Sequence, residues 1–195
     1  IVRNSGGLAV ALDKGVLNVS LVLPGVRDLS IHDGYEAMYH FIQSMFKDLT
    51  DQIEAYEIIG SSCPGDYDLS IHGIKFAGIS QRRVRNGVAI QIYLDIIGNS
   101  HHRAEMIRQF YKLSLRGEKT RFTYPSVQPE KMGSLSTLLG QKLTIHQVKE
   151  RLLKTLSQIC PNITTQPFSK QELATYEKRY DQMIKRNEEI AHILK

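Results

Sequence analysis

The chain has 195 residues, 42% of them hydrophobic, and a formal net charge of +5. That is enough for one globular domain with a core and excludes disordered, collagen-like and disulfide-scaffold chains, and no apolar run reaches the ~20 residues of a bilayer-spanning helix. Residues 1–99 carry 8 Lys/Arg against 11 Asp/Glu, whereas residues 100–195 carry 17 against 9, so the second half suits an acidic partner, protein or nucleic acid, as well as an ordinary solvated helical surface.

The first elements read as strands. "GGLAVAL" (6–12), a turn at Asp13-Lys14-Gly15 and "VLNVSLVL" (16–23) predict a β-hairpin, with Leu17, Val19 and Leu21 alternating against Asn18 and Ser20. Asp33 to Glu36 has the spacing of a capping box, with Asp33 as the cap. Met38, Phe41, Ile42, Met45 and Leu49 follow at helical spacing, predicting a helix over 34–50. A short strand is expected at 53–59. "DLSI" (68–71), a turn at His72-Gly73 and "IKFAGISQRRV" (74–84) predict a second hairpin. A turn at Asn86-Gly87 and "VAIQIYLDI" (88–96) extend it to a three-stranded meander.

Helices dominate afterwards. Ser100 is placed to cap one with Ala104, Ile107, Phe110 and Tyr111 on a shared face. Residues 117–142, with Pro125, Pro129, Gly133 and Gly140, read as a long surface loop. Thr144…Gln147 and Ser169…Glu172 are capping boxes opening two final helices. The expected class is α+β, with a mainly antiparallel or mixed sheet and packed helices. The expected organisation is a catalytic-size domain over 1–160 and a helical extension packed on it over 161–195.

Four features carry possible chemistry. If His72-Gly73 form the turn, Ser70 pairs with Lys75. Leu69, Ile71, Ile74 and Phe76 then share an apolar face, and Asp68, Ser70, Lys75 and Ala77 share the other. A strand lysine on the non-core face is most simply a solvated one. Cys63, in "SSCPG", lies upstream, and the pairing register does not bring it to Lys75. Locally a buried structural cysteine is the favoured reading. If the two did meet, the ammonium would favour the thiolate and support a nucleophile for carbonyl carbon. Ser5-Gly6-Gly7 at a strand entry allows close approach of backbone to a ligand, or is simply a tight turn. Arg82, Arg83 and Arg85 could bind phosphate or an acidic protein, or could guard a hairpin end against edge pairing. His101-His102 is no metal site, because neighbouring side chains point apart and no third ligand is spaced to join them.

Cys63 and Cys160 are too few for a secreted framework and fit free thiols in a reducing cytoplasm. Cys160, before Pro161 at the end of a helical pattern, reads as structural. The chain opens at Ile1 without an initiator Met, as a piece of a longer protein would.

Together "RNSGG" (3–7), "GVLNVSLVLP" (15–24), "DLSIHGIKFAGISQRR" (68–83) and "YPSVQPEKMGSLSTLLG" (124–140) resemble the lipoate–protein ligase and octanoyltransferase superfamily. The resemblance runs to about residue 160 and implies the biotin/lipoate protein ligase-like fold. It sets Lys75 in a Lys-x-x-Gly-x-Ser pattern, Lys75-Phe76-Ala77-Gly78-Ile79-Ser80. "GSSCPGDYDLSI" (60–71) is most similar to the branch that transfers octanoyl groups from the glycine cleavage H protein, where ATP-dependent lipoate ligases carry Asn-Asp. By resemblance, Cys63 carries an acyl thioester and Lys75 favours its thiolate. Arg3, Ser5, Gly6 and Gly7 line the acyl pocket, and Gly78, Ile79 and Ser80 form its other wall. The family carries further strands and a helix before the Arg-x-Ser-Gly-Gly motif, so this chain is expected to lack part of that pocket.

The implied activity is acyl transfer without ATP, metal or cofactor, in the cytoplasm, from the H protein to lipoyl domains of 2-oxoacid dehydrogenase subunits. Rival readings are an ATP-dependent lipoate ligase, an octanoyltransferase drawing on acyl carrier protein, and a non-catalytic protein using its basic half on nucleic acid or another acidic partner. Nucleic acid is the weaker of the partners, and no membrane is implied.

Overall fold

In the computed structural model, a single antiparallel sheet organises the chain; residues 2, 7–26, 28–118 and 120–191 are described. Its strands are β1 (Val16–Leu23), β2 (Glu54–Ala55), β3 (Asp68–Ile71), β4 (Ile74–Val84) and β5 (Gly87–Asp95), in the order β1-β5-β4-β3-β2. Every pairing between these strands is antiparallel, and an isolated parallel bridge joins Lys75 to Met132.

The two faces of the sheet follow from the alternation along β5. Val88, Ile90, Ile92 and Leu94 are buried in the main core. Ala89, Gln91, Tyr93 and Asp95 therefore point to the opposite face. Helix α1 (Ile31–Phe46) covers the core face with Met38, Phe41, Ile42, Met45 and Phe46, all buried. Each such side chain contributes roughly 1.5–3 kcal/mol relative to exposure. Helix α4 (Ile145–Ile159) adds buried Val148 to the same core and packs beside α1.

Helix α2 (Ser100–Leu115) lies on the opposite face. Its buried Arg103 donates to Asp95 Oδ1 at 2.8 Å, and to Asp13 through Nε at 2.9 Å and Nη2 at 2.6 Å. Arg103 thus ties the chain entering β1 to the end of β5. Gly15 sits at this junction, where a Cβ would lie 1.7 Å from the Ile97 carbonyl oxygen, so only glycine fits. A smaller apolar cluster of Ala104, Ile107, Tyr111 and Val127 forms beneath α2.

Several expectations change. Residues 7–12 form no strand: the Leu8 and Ala9 N–H groups are taken by Cys63 Sγ and Tyr111 Oη instead of a ladder. β1 pairs with β5 rather than in a local hairpin. Helix α1 starts earlier, with Ser30 as its cap and Asp33 completing the capping box. The strand expected at 53–59 shrinks to Glu54–Ala55. Val84 pairs with Gly87, so the turn residues are Arg85-Asn86. Asn99 rather than Ser100 caps α2, and Phe110 is exposed, off its buried face.

The segment 117–142 is no simple surface loop. It holds a 3-10 turn (Pro129–Lys131) and the short helix α3 (Leu135–Leu138), with Val127, Pro129 and Leu135 buried. Helices α4 and α5 (Lys170–Ala191) begin at the expected capping boxes. Helix α5 stands away from the core, exposed at every residue of 170–182, and Val2 N–H donates to its Asn187 Oδ1 at 2.8 Å. No helix among the described residues is long and apolar enough to cross a membrane.

Candidate active site

The site is built on the β3–β4 hairpin, on the sheet face turned away from α1. His72 and Gly73 both take positive φ, 53° and 72°, as a tight two-residue turn requires. Ser70 pairs with Lys75 as the alternation predicts. One step on, the register shifts: Leu69 pairs with Ala77 and Asp68 with Gly78. This irregularity moves Ala77 into the main core with Phe76. Ala77 was expected beside Lys75; Gly78 takes that place. A Cβ on Gly78 would lie 2.9 Å from Tyr93 Cε1, 3.4 Å from Lys75 Cε and 3.6 Å from its Nζ. The absence of a side chain at Gly78 is what lets the Lys75 chain and the Tyr93 ring lie side by side.

Lys75 is not a solvated strand lysine. Its side chain is 0% exposed. The ammonium lies 2.6 Å from Asp68 Oδ1, and donates to Cys63 O at 2.8 Å, Ser62 O at 3.1 Å and Ser61 Oγ at 3.3 Å. A buried charge is tolerable only with such a full set of partners. Asp68, equally buried, gathers the loop from the other side. It accepts from Ile58 N–H at 3.2 Å, Ser61 Oγ–H at 3.3 Å and Gly65 N–H at 3.3 Å. Burial pushes the Asp68 carboxyl above its usual value, and the Lys75 ammonium pulls against that.

The loop from Ile58 to Gly65 is therefore wrapped around one buried ion pair, and it presents Cys63. That residue has φ 53°, the left-handed region, which is uncommon for a side chain with a Cβ and costs of order 1–3 kcal/mol. The residue is partly exposed, and its sulfur accepts a hydrogen bond from Leu8 N–H at 3.1 Å. A second segment holds the loop from outside. Gln128 N–H donates to Gly60 O at 2.7 Å, Gly133 N–H donates to Lys75 O at 2.9 Å, and Ser62 Oγ lies 3.8 Å from Met132 Sδ.

The hairpin and its loop thus bring Cys63, Lys75 and Gly78 together. Lys75 reaches Cys63 through the carbonyl oxygen, while the sulfur takes its donor from Leu8. Ser80 pairs with Gln91 on the Lys75 face, two residues beyond Gly78. Ile79 packs against the main core. Gly7 is exposed, with φ 103°, directly before Leu8. Arg3, Ser5 and Gly6 lie outside the described residues. Among the described residues no cluster of His, Cys, Asp or Glu is placed to hold a metal.

Sequence reasoning did not single out Asp68, Ser61, Ser62 or Leu8. Asp68 had a signal, since it shares a strand face with Lys75 across a two-residue turn. The other three act through loop geometry, which leaves no periodic trace.

Residues 1–157 match the model of the lipoyl protein ligase A/B catalytic domain. An octanoyl-[GcvH]:protein N-octanoyltransferase of Oceanobacillus iheyensis is 61% identical over 188 residues, 96% of this chain and 67% of that protein. A lipoyl-[GcvH]:protein N-lipoyltransferase of Listeria monocytogenes is 47% identical over 191 residues, 97% of this chain and 69% of that protein. The chain therefore spans about two thirds of the length of these relatives. Among solved structures, a bipartite lipoate protein ligase from Thermoplasma acidophilum superposes with a TM-score of 0.66 at 17% identity, covering 92% of this chain and 65% of that one. That likeness carries the fold, and the close relatives carry the kinship: this chain belongs to the lipoyl protein ligase A/B catalytic-domain family.

Proposed function

We propose that this chain is the catalytic core of an acyltransferase that works without ATP. It moves an octanoyl or lipoyl group from a lysine of the glycine cleavage H protein, through a thioester on Cys63, to a lysine of a lipoyl domain in a 2-oxoacid dehydrogenase. The names of the close relatives support the donor and the reaction. The single observation that carries the site is Cys63 itself: a strained, partly exposed cysteine, its sulfur on a backbone N–H and its carbonyl on a buried ammonium.

The chemistry follows from that placement. The Cys63 thiolate attacks the carbonyl carbon of the donor amide, forming a C–S bond while the C=O electron pair moves to oxygen. The intermediate collapses with cleavage of the C–N bond, and the donor lysine leaves as an amine after taking a proton. The neutral amine of the acceptor lysine then attacks the thioester carbon. A C–N bond forms, the C–S bond breaks, the thiolate returns, and the new amide nitrogen sheds the proton that balances the first step. An amide becomes an amide, so the net free-energy change is small and no nucleotide is needed. The +8 balance of residues 100–195 suits an acidic lipoyl domain as acceptor.

Intact-mass spectrometry tests this directly. The full-length protein is mixed with octanoylated H protein, without ATP. An octanoyl adduct is expected that hydroxylamine releases and that Cys63→Ala lacks. An adduct that persists in Cys63→Ala, or an absolute need for ATP, refutes the reading.

A further inference from the structure

The sheet face that carries Lys75 also holds a phenol the mechanism above does not use. Tyr93, on β5, stands directly across from Gly78, which in turn stands across from Asp68. The three form one row over three strands, on the face turned from the core. The ring is half-buried, but its hydroxyl is sealed from solvent and makes no well-formed hydrogen bond. The Ser62 hydroxyl lies near enough for a poorly aligned contact, and the Asp68 carboxylate and the Cys63 side chain lie near enough to act on it electrostatically. A buried hydroxyl without a partner costs stability, and phenylalanine would fill the same space without that cost. The position therefore calls for a missing acceptor, and the neighbouring groups say where it comes from. Lys75 divides its protons between Asp68 and the loop oxygens of residues 61–63, so it can reach an acyl oxygen only by releasing one of them, and Leu8 N–H is engaged by the sulfur. Among the described residues, the Tyr93 Oη–H is a donor near Cys63 that gives up no well-formed hydrogen bond when an acyl oxygen arrives.

We propose that Tyr93 is a further catalytic residue, whose hydroxyl donates a hydrogen bond to the acyl oxygen while that acyl carbon is tetrahedral at Cys63. This rests on the Cys63 thioester reading. In each half-reaction the C=O electron pair moves to that oxygen as the C–S or C–N bond forms, and returns as the other bond breaks. Tyr93 stabilises the charge in between and transfers no proton. Burial keeps the phenol well above its usual value near 10, so it stays a donor throughout the neutral range.

The test uses the full-length protein and Tyr93→Phe, which deletes one oxygen and no well-formed hydrogen bond. Three quantities are read: thermal midpoint, the rate of Cys63 alkylation by iodoacetamide, and the single-turnover rate of acylation by octanoylated H protein. Alkylation at sulfur passes through no oxyanion. The expected result is an unchanged or higher midpoint, unchanged alkylation, and acylation slowed on the order of 10²-fold. Acylation at the wild-type rate overturns the role of Tyr93 alone. Alkylation that slows in step with acylation also overturns it, because Tyr93 would then be acting on the thiol or the loop. A wild-type protein that forms no hydroxylamine-labile adduct instead overturns the thioester reading, and the Tyr93 role with it.

Discussion

The Lys75–Asp68 pair should behave as a single structural unit, and the size of that effect can be worked out. Both side chains are almost wholly buried, 0% and 3% exposed, with 2.6 Å between Nζ and Oδ1. Asp68→Asn keeps the shape but leaves the ammonium without its counter-charge. Removing one partner of a buried pair costs about 3–5 kcal/mol. The asparagine oxygen still accepts from part of the loop, which points to the lower end, about 3 kcal/mol. At ~2–4 °C per kcal/mol for a chain of this size, the midpoint should fall by roughly 6–12 °C. Lys75→Met should also destabilise, since Asp68 keeps donors from Ile58, Ser61 and Gly65 but no cation. The double variant leaves no orphan charge and should cost less than the sum, with a coupling of about 1–3 kcal/mol. Urea unfolding of the four proteins measures this. Additivity within about 0.5 kcal/mol, or wild-type stability of Asp68→Asn, would refute the reasoning.

Gly78→Ala places a methyl 2.9 Å from the Tyr93 ring and 3.6 Å from Lys75 Nζ. It should cost about 1–3 kcal/mol by overpacking and slow acyl transfer by displacing Lys75; a variant with wild-type midpoint and rate contradicts this. Arg151 binds Asp48 with both guanidinium arms, and that hydrogen bonding holds the Asp48 carboxyl below its usual value. A lowered folded value means the contribution is fully present above the unfolded value and is lost as pH falls through the folded one. Thermal midpoints from pH 2 to 7 should therefore show Arg151→Gln slightly below wild type near neutrality, by a few tenths of a kcal/mol at this exposed site, and the two converging in acid; a constant gap argues against the pair. Ser30→Ala removes the α1 capping box and should cost about 1 kcal/mol in urea unfolding, against no change if the cap carries nothing.

How far the sequence revealed this molecule depends on whether a feature is periodic. Helix α1 and strands β3 to β5 were readable because burial on one face repeats, at Met38, Phe41, Ile42 and Met45 or at Val88, Ile90, Ile92 and Leu94. The register shift between Leu69 and Ser70 was not, because an irregular step needs no special residue, and it alone moved Ala77 off the Lys75 face. Residues 7–12 look like a strand in composition, but their backbone donors serve the site, at Cys63 Sγ and Tyr111 Oη. Lys75 looked like a solvated lysine because three of its four acceptors lie twelve to fourteen positions upstream, on a loop with no repeat of its own.

That loop also bears on how Lys75 can assist chemistry at Cys63. An ammonium has three protons, and here four oxygens share them. Three belong to neutral groups, the Ser62 and Cys63 carbonyls and the Ser61 hydroxyl, and only Asp68 carries charge. An oxyanion forming at Cys63 is a better acceptor for the ammonium than a neutral oxygen, since its negative charge adds Coulomb attraction to the hydrogen bond. In the proposed reaction, Lys75 would therefore exchange a loop oxygen for the acyl oxygen and keep its bond to Asp68. The loop must yield at that moment, and the strained Cys63 backbone is the place where yielding costs least. Asp68 then has two separate tasks. It holds the ammonium in place through the exchange, and through Ile58 and Gly65 it holds the two ends of the loop that gives way. This is why Asp68→Asn should impair acyl transfer more than its loss of stability accounts for, when both are measured below the temperature at which the variant begins to unfold.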